Sequence, residues 1–137
     1  MIRQRITIPD YDWLVDICYD ATPNNADQII DELWNMGCPK RHLYKAERLL
    51  KSGTLNEGLT YSDNDSKHTL IVIGRTSDLF ECINSISHEI NHLEMHICEY
   101  FGISPYSEEA SYLSGTIKEL IARNAWYSAK KMFLFLI

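Results

Sequence analysis

The sequence has no apolar run long enough to cross a bilayer. Its apolar ending, Met132 to Ile137, falls far short of the roughly 20 residues a helical span needs, and it should pack on the domain or on a partner. There is no C-x-x-C pair either. The four cysteines, Cys18, Cys38, Cys82 and Cys98, have neither the spacing of a metal knuckle nor the density of a disulfide framework, so reduced thiols are expected. Met1 to Pro9 alternates polar and apolar residues and lacks the continuous apolar core of a signal peptide, which points to a cytoplasmic protein. Basic charge is also in short supply: 13 Lys and Arg face 19 Asp and Glu, for a net charge of −6. That argues against a dedicated nucleic-acid binder, which needs a basic face to displace counterions from phosphates. The one basic stretch, Lys40, Arg41, Lys45, Arg48 and Lys51, reads as a solvated helix face. Neither nucleic acid nor membrane is expected as a partner.

What remains is an ordinary composition, with 45% hydrophobic and 23% charged residues in 137 positions. It suits one domain over 1–137, large enough to bury a core without staples. Ile2, Ile6 and Ile8 suggest an opening strand that Pro9 ends, and Trp13 to Tyr19 a second. Asn24 and Asn25 can cap a helix that stops at Gly37, and a second helix follows Pro39 and stops at Gly53. Leu59 to Tyr61 and His68 to Ile73 read as strands joined by the turn-rich Ser62 to Ser66. Thr76, Ser77 and Asp78 then prepare a helix start. Leu79, Ile83, Ile86, Ile90, Leu93 and Ile97 recur at steps of four and three, one stripe of a long helix that Gly102 ends. Ser104 and Pro105 are placed to restart a helix with Ala110, Leu113, Ile117, Leu120 and Ile121 on its apolar face. The fold class is α+β.

The chemistry lies in His88-Glu89-Ile90-Asn91-His92. Residues four apart share one helix face about 6 Å apart, so two imidazoles can converge on one tetrahedral Zn²⁺ and leave positions open. A glutamate directly after the first histidine lies beside the open site, where it can take a proton from metal-activated water and pass it to a leaving amine. Both histidines lie roughly opposite the Ile86, Ile90, Leu93 stripe, and Asn91 should face away from the metal. His96 extends the series but stands about 12 Å along the axis from His88, too far to share its ion on a straight helix. His42 and His68 have no companion in the sequence and read as polar surface residues. Tyr112 is a candidate oxyanion donor or a packed aromatic.

The run Asn84 to His92 resembles the active-site helix of minimal zincins. Tyr61 with Thr69 to Gly74 resembles the strand before that helix in small zincin-like proteins of phages and mobile elements. Ser107 to Gly115 is similar to the glutamate-bearing second helix of that group. The resemblance covers roughly Gly58 to Leu120. It implies a small zincin-like domain with an edge strand before the motif helix and a C-terminal helix after it. It also implies a zinc ion held by His88, His92 and a glutamate, with water as fourth ligand. Matched residue by residue, Glu108 takes the third-ligand place, four before Tyr112 and seven before Gly115, with Glu109 the near alternative. Helix geometry adds a rival. The metal would lie roughly 16 Å from the helix end at Phe101, so a strictly antiparallel return brings residues 114–119, and Glu119, level with it.

No Met-turn and no third downstream histidine follow, which excludes a metzincin. The expected activity is peptide-bond hydrolysis of a protein or peptide substrate, with Glu89 as general base and an extended segment adding along Leu70 to Ile73 as the sheet edge. Two other readings stay open. One is a zincin-like module that binds a partner protein and no longer cleaves; the other is a structural zinc protein. A homodimer or a larger complex is compatible with each.

Overall fold

Ile2, Ile6 and Ile8 alternate with polar residues, the period of a strand buried on one face, and β1 runs Ile2–Ile8. Pro9 offers no backbone N–H to continue a ladder; a 3-10 turn over Pro9–Tyr11 leads instead into β2, Trp13–Ala21, antiparallel to β1. The computed structural model describes residues 1–55 and 58–136, with side chains through residue 123. The expected packing of Met132 to Ile137 therefore lies outside the described residues.

Two helices follow, α1 over Ala26–Asn35 and α2 over Lys40–Ser52. Strands β3, Leu59–Asp63, and β4, His68–Gly74, form an antiparallel hairpin, and β4 joins β2 in parallel. The sheet order is β1-β2-β4-β3. The fold is α+β, as the sequence predicts, but the edge strand is β3. Leu70 to Ile73 belongs to the interior strand β4, and the expectation that it forms the edge is corrected. The physical reason is legible in the run itself. Leu70 and Val72 enter one core, Ile71 and Ile73 the other; a strand covered on both faces needs unbroken apolar sequence.

Those two cores make the architecture three-layered. On one face Ile29 and Leu33 of α1 and Leu43, Ala46 and Leu50 of α2 pack on Cys18, Leu70 and Val72. On the other, α3 (Leu79–Phe101) and α4 (Glu108–Leu136) cover Trp13, Val15, Ile17, Ile71 and Ile73. Asp78 caps α3 by accepting the Glu81 N–H at 2.8 Å, and Gly102 ends it in the left-handed region at φ 67°. The apolar stripe of α3 is buried from Ile90 through Ile97, whereas Leu79 and Ile83, which continue it in sequence, are 38% and 51% exposed. Helix α4 begins later than Ser104 and Pro105 suggest: residues 104–107 make a turn, and Ser107 Oγ accepts the Ala110 N–H at 3.2 Å as the cap. Cys18, Cys38, Cys82 and Cys98 are buried and unlinked. Among the described residues no helix is long and apolar enough to cross a membrane.

Candidate metal centre on α3

The long helix holds His88 and His92 on one exposed flank, with their Nε2 atoms 3.2 Å apart. Two nitrogens bound to one tetrahedral zinc at the usual bond length stand about 3.3 Å apart. The pair therefore fits two ligand positions of a single ion. Asn91 is exposed.

Glu89 turns the other way around the helix, toward the sheet, and is only 3% exposed. Thr60 of β3 donates its hydroxyl to Glu89 Oε2 and lies 3.4 Å from the Glu89 carbonyl oxygen. Such a hydrogen bond offsets the cost of burying a polar group. The strand can approach this closely because residue 58 is glycine. With φ at +133°, a Cβ there would lie 2.7 Å from Val72 O and 2.9 Å from Glu89 Cγ. Glycine alone fits that backbone and that space.

One turn further along α3, His96 closes a polar chain that crosses the sheet. Its Nδ1 is 2.7 Å from Ser62 Oγ, Ser62 Oγ is 2.7 Å from Thr69 Oγ1, and the Trp13 indole N–H donates to Thr69 Oγ1 at 2.8 Å. Burial, and then the neighbouring His92 ring, hold the His96 imidazole below its ordinary pKa. Thr60, Ser62, Thr69 and Gly58 are site residues that sequence reasoning missed. For Thr60 and Ser62 the one signal is polar residues at alternate positions of β3, and its meaning depends on knowing which strand lies at the edge.

The third ligand is where expectation and structure part. Among the described residues, no group of three or more His, Cys, Asp or Glu is placed to hold a metal ion. Neither Glu108, ranked first, nor its rivals Glu109 and Glu119 joins His88 and His92. Glu109 accepts a hydrogen bond from Tyr11 at 3.2 Å, and Glu119 pairs with Arg123 at 2.8 Å. The cause is the side of α3 on which α4 lies. Glu94 reaches Lys118 of α4 at 3.9 Å. Burial, and then the charges of Glu94 and Glu109, push the Cys98 thiol upward, so both acids lie on that same side. Glu94 stands two residues, about 200° of helical turn, beyond His92. Helix α4 thus runs along the flank of α3 that faces away from the histidines.

Other candidates also move. Tyr112 is exposed and lines a separate hollow with Asp10, Tyr11 and Glu109. His68 is not an unaccompanied surface residue: its Nε2 lies 2.7 Å from Asp16 Oδ2, and Asp16 also accepts from Arg5 at 2.7 and 3.0 Å. His42 lines a groove of about 570 Å³ that follows the open edge of β3 between α2 and α3 and includes His96 and Glu99.

Compared with known proteins, the chain matches no family model, no curated protein and no solved structure.

Proposed function

We propose that this chain is a zinc-dependent peptide-bond hydrolase of the minimal zincin type. His88 and His92 would hold the ion, and Glu89 would serve as general base and then general acid. The observation that carries the reading is the 3.2 Å Nε2 separation on the helix turn whose intervening glutamate lies against an open sheet edge. Zinc bound there would supply a Lewis acid and water acidified toward neutral pH. The chain's own residues do the rest. The Thr60 hydroxyl holds Glu89 Oε2, leaving Oε1 as the proton-accepting oxygen. The free edge of β3 offers main-chain donors and acceptors that orient an extended peptide. Among the described residues Glu108 is not brought to the histidine pair, and two protein ligands would hold zinc more weakly than three.

The test is zinc content after purification without chelator, with zinc supplied, together with peptide turnover. Up to one zinc per chain is expected, retained in Glu89→Gln and lost in His92→Ala. Turnover should fall by about 100-fold or more in Glu89→Gln. Protein that takes up no zinc, or an unchanged rate in Glu89→Gln, would sink the proposal.

A second reading, a zincin-like module that binds a partner without cleaving it, is favoured by one specific observation: no third acidic ligand accompanies the histidine pair among the described residues. Zinc uptake without turnover of any peptide would select it.

A further inference from the structure

Four polar groups run in single file from the sheet to the groove beside β3, and only one order of donation satisfies them. The Trp13 indole N–H can donate but not accept, so Thr69 Oγ1, 2.8 Å away, is its acceptor. Trp13 and Thr69 are both fully buried. The Thr69 hydroxyl must place its own proton, and Ser62 Oγ at 2.7 Å is its one remaining partner among the described residues. Ser62 in turn has one acceptor left, His96 Nδ1 at 2.7 Å. Donation therefore passes from Trp13 to Thr69 to Ser62 to His96. An imidazole that accepts at Nδ1 is neutral and carries its proton on Nε2.

The Nε2 edge of that ring is open. It makes no hydrogen bond among the described residues, and among them Glu94 Oε1 is the only buried side-chain oxygen or nitrogen without a partner. Solvent therefore reaches Nε2, and His96 lines the groove together with Thr60, Ser62 and Glu99. Strand β3 sets Thr60 against Glu89 and Ser62 against His96. Two strand residues span about 7 Å. A segment laid along the free edge of β3 thus meets Glu89 and the His96 donor about two residues apart. Glu99, close enough to act on the His96 ring, would repel a carboxylate there. The acceptor that fits is an uncharged carbonyl oxygen.

We propose that His96 is a substrate-binding residue whose fixed Nε2–H donates to an amide carbonyl oxygen of the bound peptide, about two residues from the bond cleaved. The inference rests on the hydrolase reading for its substrate, and on the order of hydrogen bonds alone for its tautomer. A donor this far from the reacting bond holds ground state and transition state alike, so it lowers KM and leaves kcat unaltered.

The tautomer is read first, on zinc-free protein with chelator present, from the ring-nitrogen chemical shifts of isotope-labelled histidine. The His96 signals are assigned by their loss in His96→Gln. Nδ1 should be unprotonated and Nε2 protonated; a proton on Nδ1 would overturn the proposal. Peptide turnover with zinc supplied follows in His96→Leu and His96→Gln, each checked for folding by its melting temperature. Leucine removes the donor, whereas glutamine keeps an acceptor for Ser62 and an N–H for the groove. KM should rise about 3- to 10-fold in His96→Leu, with kcat within about twofold of the parent, and return close to the parent value in His96→Gln. Zinc uptake should be unchanged in both. An equal effect on peptides carrying alanine or glutamine at that place identifies a main-chain carbonyl, and an effect confined to glutamine a side-chain one. An unchanged KM, a fall in kcat alone, or loss of zinc in His96→Leu would each overturn the proposal. A chain that cleaves no peptide fails the hydrolase reading, and the substrate role of His96 with it. A chain that cleaves peptide with unaltered KM in His96→Leu fails this inference alone.

Discussion

The two flanks of α3 are built from the same helix and do opposite work. Toward α4 it is an ordinary packing surface: Ile90, Leu93 and Ile97 meet Leu113 and Ile117, and Glu94 finds Lys118 at the rim. Toward β3 it is polar at nearly every turn, with His88, Glu89, His92 and His96, and its contacts are hydrogen bonds to Thr60 and Ser62. On the proposed reading, stability and chemistry are divided by azimuth around one helix rather than by position along it. A substitution on one flank should leave the other's property largely intact, and the division can be attacked from either side.

The largest effect is expected on the packing flank. Leu93 is fully buried between α4 and the sheet, and Leu93→Ala removes apolar contact and leaves a cavity. A loss of about 2–5 kcal/mol is expected in urea unfolding. The folded fraction should still take up zinc through His88 and His92. Zinc uptake lost in strict proportion to Leu93 packing would mean that the flanks are not separable.

Gly58→Ala attacks the chemical flank through its backbone. The new Cβ meets Val72 O and Glu89 Cγ, and alanine disfavours the positive φ. About 1–3 kcal/mol should be lost. Unlike Leu93→Ala, this change should also lower turnover in the folded fraction, because Glu89 must shift. Unaltered turnover there would show that the position of Glu89 against β3 is immaterial.

A control comes from outside α3. Burial raises the Asp16 pKa, but hydrogen bonds from Arg5 and His68 outweigh it and hold the carboxyl below its usual value. A carboxylate depressed in the folded state binds fewer protons than in the unfolded chain. Its contribution is therefore complete above the ordinary carboxylate range, near pH 4, and is lost as pH falls through the lowered folded value. Asp16→Asn should cost about 1–3 kcal/mol at neutral pH and flatten the acid limb of a stability–pH profile. Zinc uptake through His88 and His92 should be the same in Asp16→Asn as in the parent. An acid limb unchanged in Asp16→Asn would remove Asp16 as its source.

Much of this division is legible in the residues alone. The steps of four and three through Ile86, Ile90, Leu93 and Ile97 mark the helix and its buried stripe, and they place His88 and His92 opposite that stripe. The antiparallel return is also legible in level, since residues near 118 do come alongside residues near 94. Side is not. Spacing along a helix says how far a neighbour has travelled, but not around which flank it packs. That flank is set here by where α4 finds apolar sheet surface, beside β1 on the Trp13, Val15 and Ile17 face. The exposed start of α3 departs from the pattern in the same way: Leu79 and Ile83 obey the periodicity, yet they are exposed.

The smallest expected effect therefore tests the azimuth most directly. Glu108→Gln and Glu119→Gln each remove a carboxylate that sequence spacing places near the metal and that the fold places on α4, against the far flank of α3. Both residues are exposed, so each substitution should change stability by no more than about 0.5 kcal/mol. Zinc affinity, read by titration against a competing chelator, should stay within about twofold of the parent. Removing a true third ligand would instead weaken binding by tenfold or more, by comparison with the 10–100-fold cost of losing even an outer-shell partner. A loss of that size in Glu108→Gln would mean that α4 moves around α3 when metal binds, and the fixed division between the flanks would have to be abandoned.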